Sequence, residues 1–174
     1  MEAAMSAKTP GSMLRWLWLA ALVLALDLGT KALASASLTY ADPVPVMPMF
    51  NLTLLHNTGA AFSFLADAEG WQRWFFVVLA LGVSVALIVW MRRLKADETL
   101  TAIAIALILG GALGNVYDRV VHGYVVDFLH LYWRQWNYPA FNLADTAITL
   151  GAGLMILDMF RKPAGKGGDA QRDE

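Results

Sequence analysis

The chain has 174 residues, 58% of them hydrophobic and 16% charged, with a formal net charge of −1 and a mean hydropathy of +0.51. Soluble domains are roughly 45–50% apolar and about 25% charged, so the composition points to a single integral membrane domain, and the near-neutral charge argues against a nucleic-acid partner. The lack of cysteine excludes disulfides, thiol nucleophiles and Cys-based metal sites, and with only three histidines no metal centre or other cofactor is expected.

Residues 1–13 are small and polar, a loose start. From Leu14 the apolar run Trp16–Leu26 opens a helix that continues past Asp27, Thr30 and Lys31 to about residue 36. About 20 residues at 1.5 Å each cross the hydrocarbon of a bilayer, so 14–36 is the first span. A secretory signal peptide would read similarly, since Ala32–Ala36 offers A-x-A cleavage sites. Asp27 and Lys31 stand where such a peptide is neutral, and at i,i+4 they can pair on one face, so a retained helix is expected.

Residues 37–70 form an external segment. Pro43, Pro45 and Pro48 exclude helix. Phe50, Leu52 and Leu54 alternate with Asn51 and Thr53, the period of a half-buried strand. His56-Asn57-Thr58-Gly59 ends that strand with turn chemistry, and Ala60–Leu65 reads as a second strand. The expectation is a small β-sheet lying on the membrane surface.

Three more spans follow, at about 74–91, 100–117 and 141–160, giving a membrane α-helical protein with four transmembrane helices. Gly110 and Gly114 have GxxxG spacing, which lets another helix approach closely; internal packing is the simpler reading. The seven tryptophans lie mostly at span ends, as an interfacial belt requires. Lys8, Arg15, Arg92, Arg93, Lys95, Arg161, Lys162, Lys166 and Arg172, nine of the thirteen Lys and Arg, fall on one side. The positive-inside rule puts that side, and both termini, in the cytoplasm. The Gly- and charge-rich tail, 163–174, reads as disordered.

The chemistry gathers between the third and fourth spans, in an external segment at 118–140 and the start of the fourth helix. Asp127 lies in that segment, and Asp145 sits roughly 6 Å below the outer end of the fourth span at helical rise. Ionisable groups at such depth are costly unless paired or wetted, and so mark a working site. Asn142 and Asp145 share one helix face, and Gly111, Asn115 and Arg119 share another. Two carboxylates in a partly dry site hold one proton between them. The ionised one can activate a water while the protonated one polarises a carbonyl, which suits metal-free amide hydrolysis. Taken singly, Asp118-Arg119 reads as an interfacial ion pair with a snorkelling arginine, Asp158 as a partner of Arg161 and Lys162, and Asp127-x-x-His130 as chance spacing rather than a metal site.

Five blocks carry a family resemblance: Asp27-x-x-x-Lys31, Asn57-Thr58-Gly59-Ala60-Ala61-Phe62, Gly111-x-x-x-Asn115-x-x-Asp118-Arg119, Val126-Asp127-Phe128 and Phe141-Asn142-x-Ala144-Asp145. In order and spacing they resemble bacterial lipoprotein signal peptidase, signal peptidase II, over about residues 14–160. The resemblance implies an aspartic endopeptidase of the bacterial inner membrane that works alone, with its active site near the extracytoplasmic face. Its partners would be membrane lipids and lipid-modified prolipoproteins, cleaved before the diacylglyceryl cysteine. It also implies Asp127 and Asp145 as the catalytic pair. Asn57, Gly111, Asn115, Arg119 and Asn142 would shape the site or hold substrate backbone, Asp27 and Lys31 would brace the external sheet, and a short amphipathic helix would lie within 37–70. Two other classes compete. A small proton-coupled transporter, with Asp145 and Asp27 titrating, would place its acids near the midplane and often show related halves; here the acids cluster toward one face without an internal repeat. A scaffold subunit would leave the polar side chains within the spans without a purpose.

Overall fold

The computed structural model describes residues 12–59 and 70–161. The loose start, the second strand at Ala60–Leu65 and the tail at 163–174 lie outside the described residues but for Ser12 and Met13.

Four helices run up, down, up and down: α1 Leu17–Ser37, entered by a 3₁₀ turn at Met13–Trp16, α2 Trp71–Arg93, α3 Thr99–Val121 and α4 Leu143–Arg161. Each is long and apolar enough to cross a membrane, with 19 to 25 residues per candidate span, making the chain a multi-pass membrane protein. α3 is the central helix. It packs against the other three, and half of its most apolar window is buried against 17% for α2 and α4. Small residues make this possible. A Cβ on Gly110 would lie 2.6 Å from the Ala20 carbonyl and from Val23 of α1, and one on Gly151 of α4 would lie 2.7 Å from Ala104 O and Ile108 of α3. The GxxxG pair thus serves packing within the chain, Gly114 abutting Asp27 of α1.

α1, α3 and the residues leading into α4 meet a four-stranded antiparallel sheet, in the order β1 Val44–Met47, β2 Phe50–Asn57, β3 Val125–Trp133 and β4 Trp136–Asn137. The strand expected from the alternation at Phe50–Leu54 is present, but it runs on through His56 and Asn57, where a turn was expected. The sheet is not confined to 37–70, however, since β3 and β4 come from the connection between α3 and α4. No helix occurs among the described residues 38–59. β2 pairs with β3 through Leu52↔Leu129 and Leu55↔Asp127, so Thr53 and Leu54 together oppose Phe128. This β-bulge sits beside Asp127; such irregularities bend a strand and re-aim side chains. Val126, Phe128 and Leu54 are buried, while Trp133 and Trp136 at the hairpin tip are exposed.

At the opposite end, Met13, Ala20, Met91, Ala102, Ile105, Ala106 and Leu109 close an apolar core. There Asp158 accepts a hydrogen bond from Thr101 Oγ1 of α3 at 2.6 Å; of the cations expected to pair with it, Lys162 lies outside the described residues.

Candidate active site

α4 begins with a reciprocal cap. The Asn142 Oδ1 accepts from the Asp145 N–H at 2.9 Å, and Asp145 Oδ2 accepts from the Asn142 N–H at 3.2 Å. This is a capping box built from Asn and Asp. It puts Asp145 in the first turn of α4, above the depth expected from a helix start at 141. Gly111 has no side chain where Ala144 O and Ile148 approach, so α3 and α4 come close enough for Asn115 Nδ2 to donate to Asp145 Oδ1 at 2.8 Å.

Asp127 reaches the same place from the sheet. It is 2% exposed. Its Oδ1 accepts from Asn142 Nδ2 at 2.7 Å and its Oδ2 from Asn57 Nδ2 at 3.0 Å. Asn142, fully buried, therefore touches both acids. Burial, then the charge of Asp145, pushes the Asp127 carboxyl up to about 7; hydrogen bonds from Asn57 and Asn142 and the charge of Lys31 oppose that rise. The two acids read from the sequence thus interact electrostatically across one asparagine.

A buried ionic layer lies against them. Lys31 Nζ contacts Asp27 Oδ2 at 2.7 Å, Asp118 Oδ2 at 3.0 Å and Asn115 Oδ1 at 3.0 Å. The Asp27 Oδ1 accepts from the Ala144 N–H at 2.8 Å, in the first turn of α4, and Asp118 Oδ2 from the Val126 N–H of β3 at 3.0 Å. Asp27, Lys31 and Asp118 are all nearly inaccessible. Such ions are tolerated only when each is paired and hydrogen-bonded. The expected Asp118–Arg119 interfacial pair is not the arrangement found. α3 runs to Val121 rather than 117, so both residues are helical, and successive helical residues point in different directions. Asp118 turns to Lys31, and Arg119 donates through Nη2 to Gly59 O at 2.8 Å and through Nη1 to Asn115 O at 3.3 Å, with its guanidinium 5.1 Å from the centre of the Phe76 ring.

These groups open onto a cavity of about 460 Å³ whose walls include Asn57, Asn115, Arg119, Asp127, Asp145 and Phe141. Gly111, Asn142, Asp27 and Lys31 lie behind the wall. The sequence reading missed Tyr40, His56 and Thr149, which also line the cavity. His56 stacks on Tyr124 with centroids 3.9 Å apart, and burial followed by the nearby His122 lowers its pKa. Its position next to Asn57 on a strand was the available signal. His130 stands on the opposite strand face from Asp127 (three residues along), and no metal-binding group of three His, Cys, Asp or Glu occurs among the described residues.

A family model described as signal peptidase (SPase) II matches residues 19–161. Proteins named lipoprotein signal peptidase are similar over most of the chain: 55% identity to that of Pseudomonas aeruginosa over 159 residues, covering 90% of this chain and 93% of the relative, and 57% to that of Acinetobacter baumannii over 145 residues, covering 83% and 82%. A solved structure described as a bacterial membrane enzyme determined by the in meso method at 2.3 Å superposes with a TM-score of 0.77 at 29% identity, covering 92% of this chain and 93% of that one. The match spans every element from α1 to α4, and the chain belongs to the signal peptidase II family of peptidases.

Proposed function

We propose that this peptidase removes signal peptides from diacylglyceryl-modified prolipoproteins, cutting before the lipidated cysteine by means of Asp127, Asp145 and an activated water. The observation that carries the reading is Asn142, which holds one carboxyl through its side chain and the other through its cap. Two acids so placed share one proton. The ionised acid takes a proton from water as its oxygen bonds to the scissile carbonyl carbon, while the protonated acid gives its proton to the carbonyl oxygen. The tetrahedral diol then collapses. The first acid passes its new proton to the departing nitrogen, a diol hydroxyl returns one to the second acid, and the C–N bond breaks. The pair ends as it began, and the net consumption is one water.

The remaining roles follow from the geometry. Arg119 lines the cavity with a buried Nε–H that has no partner, suited to a substrate carbonyl. Asn57 and Asn115 hold the carboxyls, and Gly111 sets the helix spacing. The four spans embed the protein in the bacterial inner membrane among its lipids, acting as a monomer. Both termini face the cytoplasm, so the sheet and the cavity face the other side, where a translocated precursor arrives with its lipid still in the bilayer.

The test is cleavage of a precursor by the purified protein, with and without the diacylglyceryl group, read by product mass. The reading predicts a new amino terminus at the lipidated cysteine and no cleavage of the unmodified precursor. Equal cleavage of both, or a cut elsewhere, would overturn it.

A further inference from the structure

Each of the three asparagines around the acid pair has its carbonyl oxygen facing a group that can only donate. Asn57 Oδ1 faces the Gly59 N–H at 3.0 Å, and Asn142 Oδ1 faces the Asp145 N–H. Asn115 Oδ1 faces the Lys31 ammonium at 3.0 Å, which has no lone pair to offer. The amide orientations are therefore determined, and all three NH₂ groups must point at carboxyl oxygens: two at Asp127, one at Asp145.

What stands behind these donors differs. Neutral peptide groups hold the two that serve Asp127, whereas a buried ammonium, 3% exposed, holds the one that serves Asp145. A hydrogen bond from a cation is stronger than a neutral one and polarises the amide beyond it. Around this relay the charged groups are Asp27 and Lys31 from α1, Asp118 and Arg119 from α3, and Asp127 from β3. Because Asp27 and Asp118 both pair with Lys31, the ammonium exerts little net field at a distance. Its action on Asp145 runs through the direction of the Asn115 amide, supported more weakly by Asn142 Nδ2 at 3.3 Å from the same oxygen.

Building on the Asp-pair reading above, we infer that Lys31 is a positioning residue: by locking Asn115 it makes Asp145 the ionised, water-activating member of the pair and leaves the proton on Asp127. Asp27 and Asp118 take two of the three N–H donors of the Lys31 ammonium and Asn115 Oδ1 takes the third, so the contact that completes the lysine's hydrogen bonds is the same one that fixes the Asn115 amide. The position of the Asp127 carboxyl near neutrality is in keeping with this division.

The experiment is a kinetic double-mutant cycle on cleavage of a diacylglyceryl-modified precursor, using Lys31→Met, Asn115→Ala and the two combined, with Asp127→Asn and Asp145→Asn alongside. Each single variant is expected to lower kcat by about a hundredfold, the usual cost of a misplaced reacting group, with KM within about threefold. The combination should be no slower than the slower single variant, as for residues acting as a unit. Multiplying effects, or a change in KM alone, would overturn the inference. Should Lys31→Met not fold, the neutral set Asp27→Asn, Lys31→Met and Asp118→Asn removes the cation without leaving buried carboxylates unpaired. It is expected to match Asn115→Ala in kcat, and wild-type kcat would again overturn the inference. Loss of activity in both aspartate variants with normal kinetics in Lys31→Met would sink the role of Lys31 alone; activity in either aspartate variant would sink the pair itself.

Discussion

Asp127 carries the largest electrostatic strain at the site, and that strain has a sign. Its carboxyl is raised from 3.8 to about 7 in the folded protein, so the fold favours its protonated form. The associated stability is fully present below about pH 4 and is lost as pH rises through about 7, a difference on the order of 4 kcal/mol at 1.36 kcal/mol per unit. Asp127→Asn cannot ionise. The unfolding temperature of this variant, minus that of the wild type, should therefore increase between about pH 5 and pH 8; a gap independent of pH would show that the carboxyl is not held protonated. Arg119 makes a second residue-level case. Its two terminal nitrogens reach Gly59 O and Asn115 O at once, a fork that lysine lacks. Arg119→Lys should lower kcat/KM by about tenfold or more, the worth of one charged hydrogen bond, and wild-type turnover would remove the arginine from the site.

Among the elements, α3 and α4 decide the geometry, and glycine decides how close they come. A methyl at Gly111 would run into the Ala144 carbonyl one residue before Asp145, whereas Gly29 on α1 has nothing within 4 Å. Overpacking against backbone costs about 1–3 kcal/mol, so Gly111→Ala should lower both the unfolding temperature and activity, while Gly29→Ala stays at or above wild type in both. Equal behaviour of the two variants would mean that the close contact does not matter. The Asn142–Asp145 cap was legible in principle, since Asn-x-x-Asp before an apolar run is a helix-start signature; reading the pair as two residues on one helix face instead placed Asp145 too deep. β3 was hidden for another reason. Val125–Trp133 is a nearly continuous apolar run, for which periodicity cannot choose between a buried strand and a helix segment, and its partner β2 lies some 70 residues earlier in the chain. Asp118 was misread because α3 runs four residues beyond the expected end, to Val121: ending it at 117 left Asp118 in a loop, where an ion pair with its neighbour was the natural reading.

At the scale of the whole molecule, the spans were readable because lipid requires long uncharged helices, and only boundaries moved. Handedness of insertion rests on the charge count: Arg92, Arg93, Lys95 and Arg161 lie at the end away from the sheet. Because the chain lacks cysteine, single substitutions can report sidedness. Trp136→Cys at the exposed hairpin tip should react with an impermeant thiol reagent in spheroplasts and Lys95→Cys should not; the reverse pattern would invert the topology and put the cavity on the cytoplasmic side. The resemblance rested on five blocks far apart in the chain, and four of them converge at one end of the bundle, together with the described part of the Asn57 block. That convergence is what makes the central claim open to a direct trial: turnover of a diacylglyceryl-modified precursor by Asp127→Asn and Asp145→Asn, each purified and shown by thermal unfolding to be folded. The account predicts that either change alone lowers kcat by about a thousandfold or more, within the range that general acid–base catalysis supplies. A folded variant of either kind that turns over within about tenfold of wild type would contradict it.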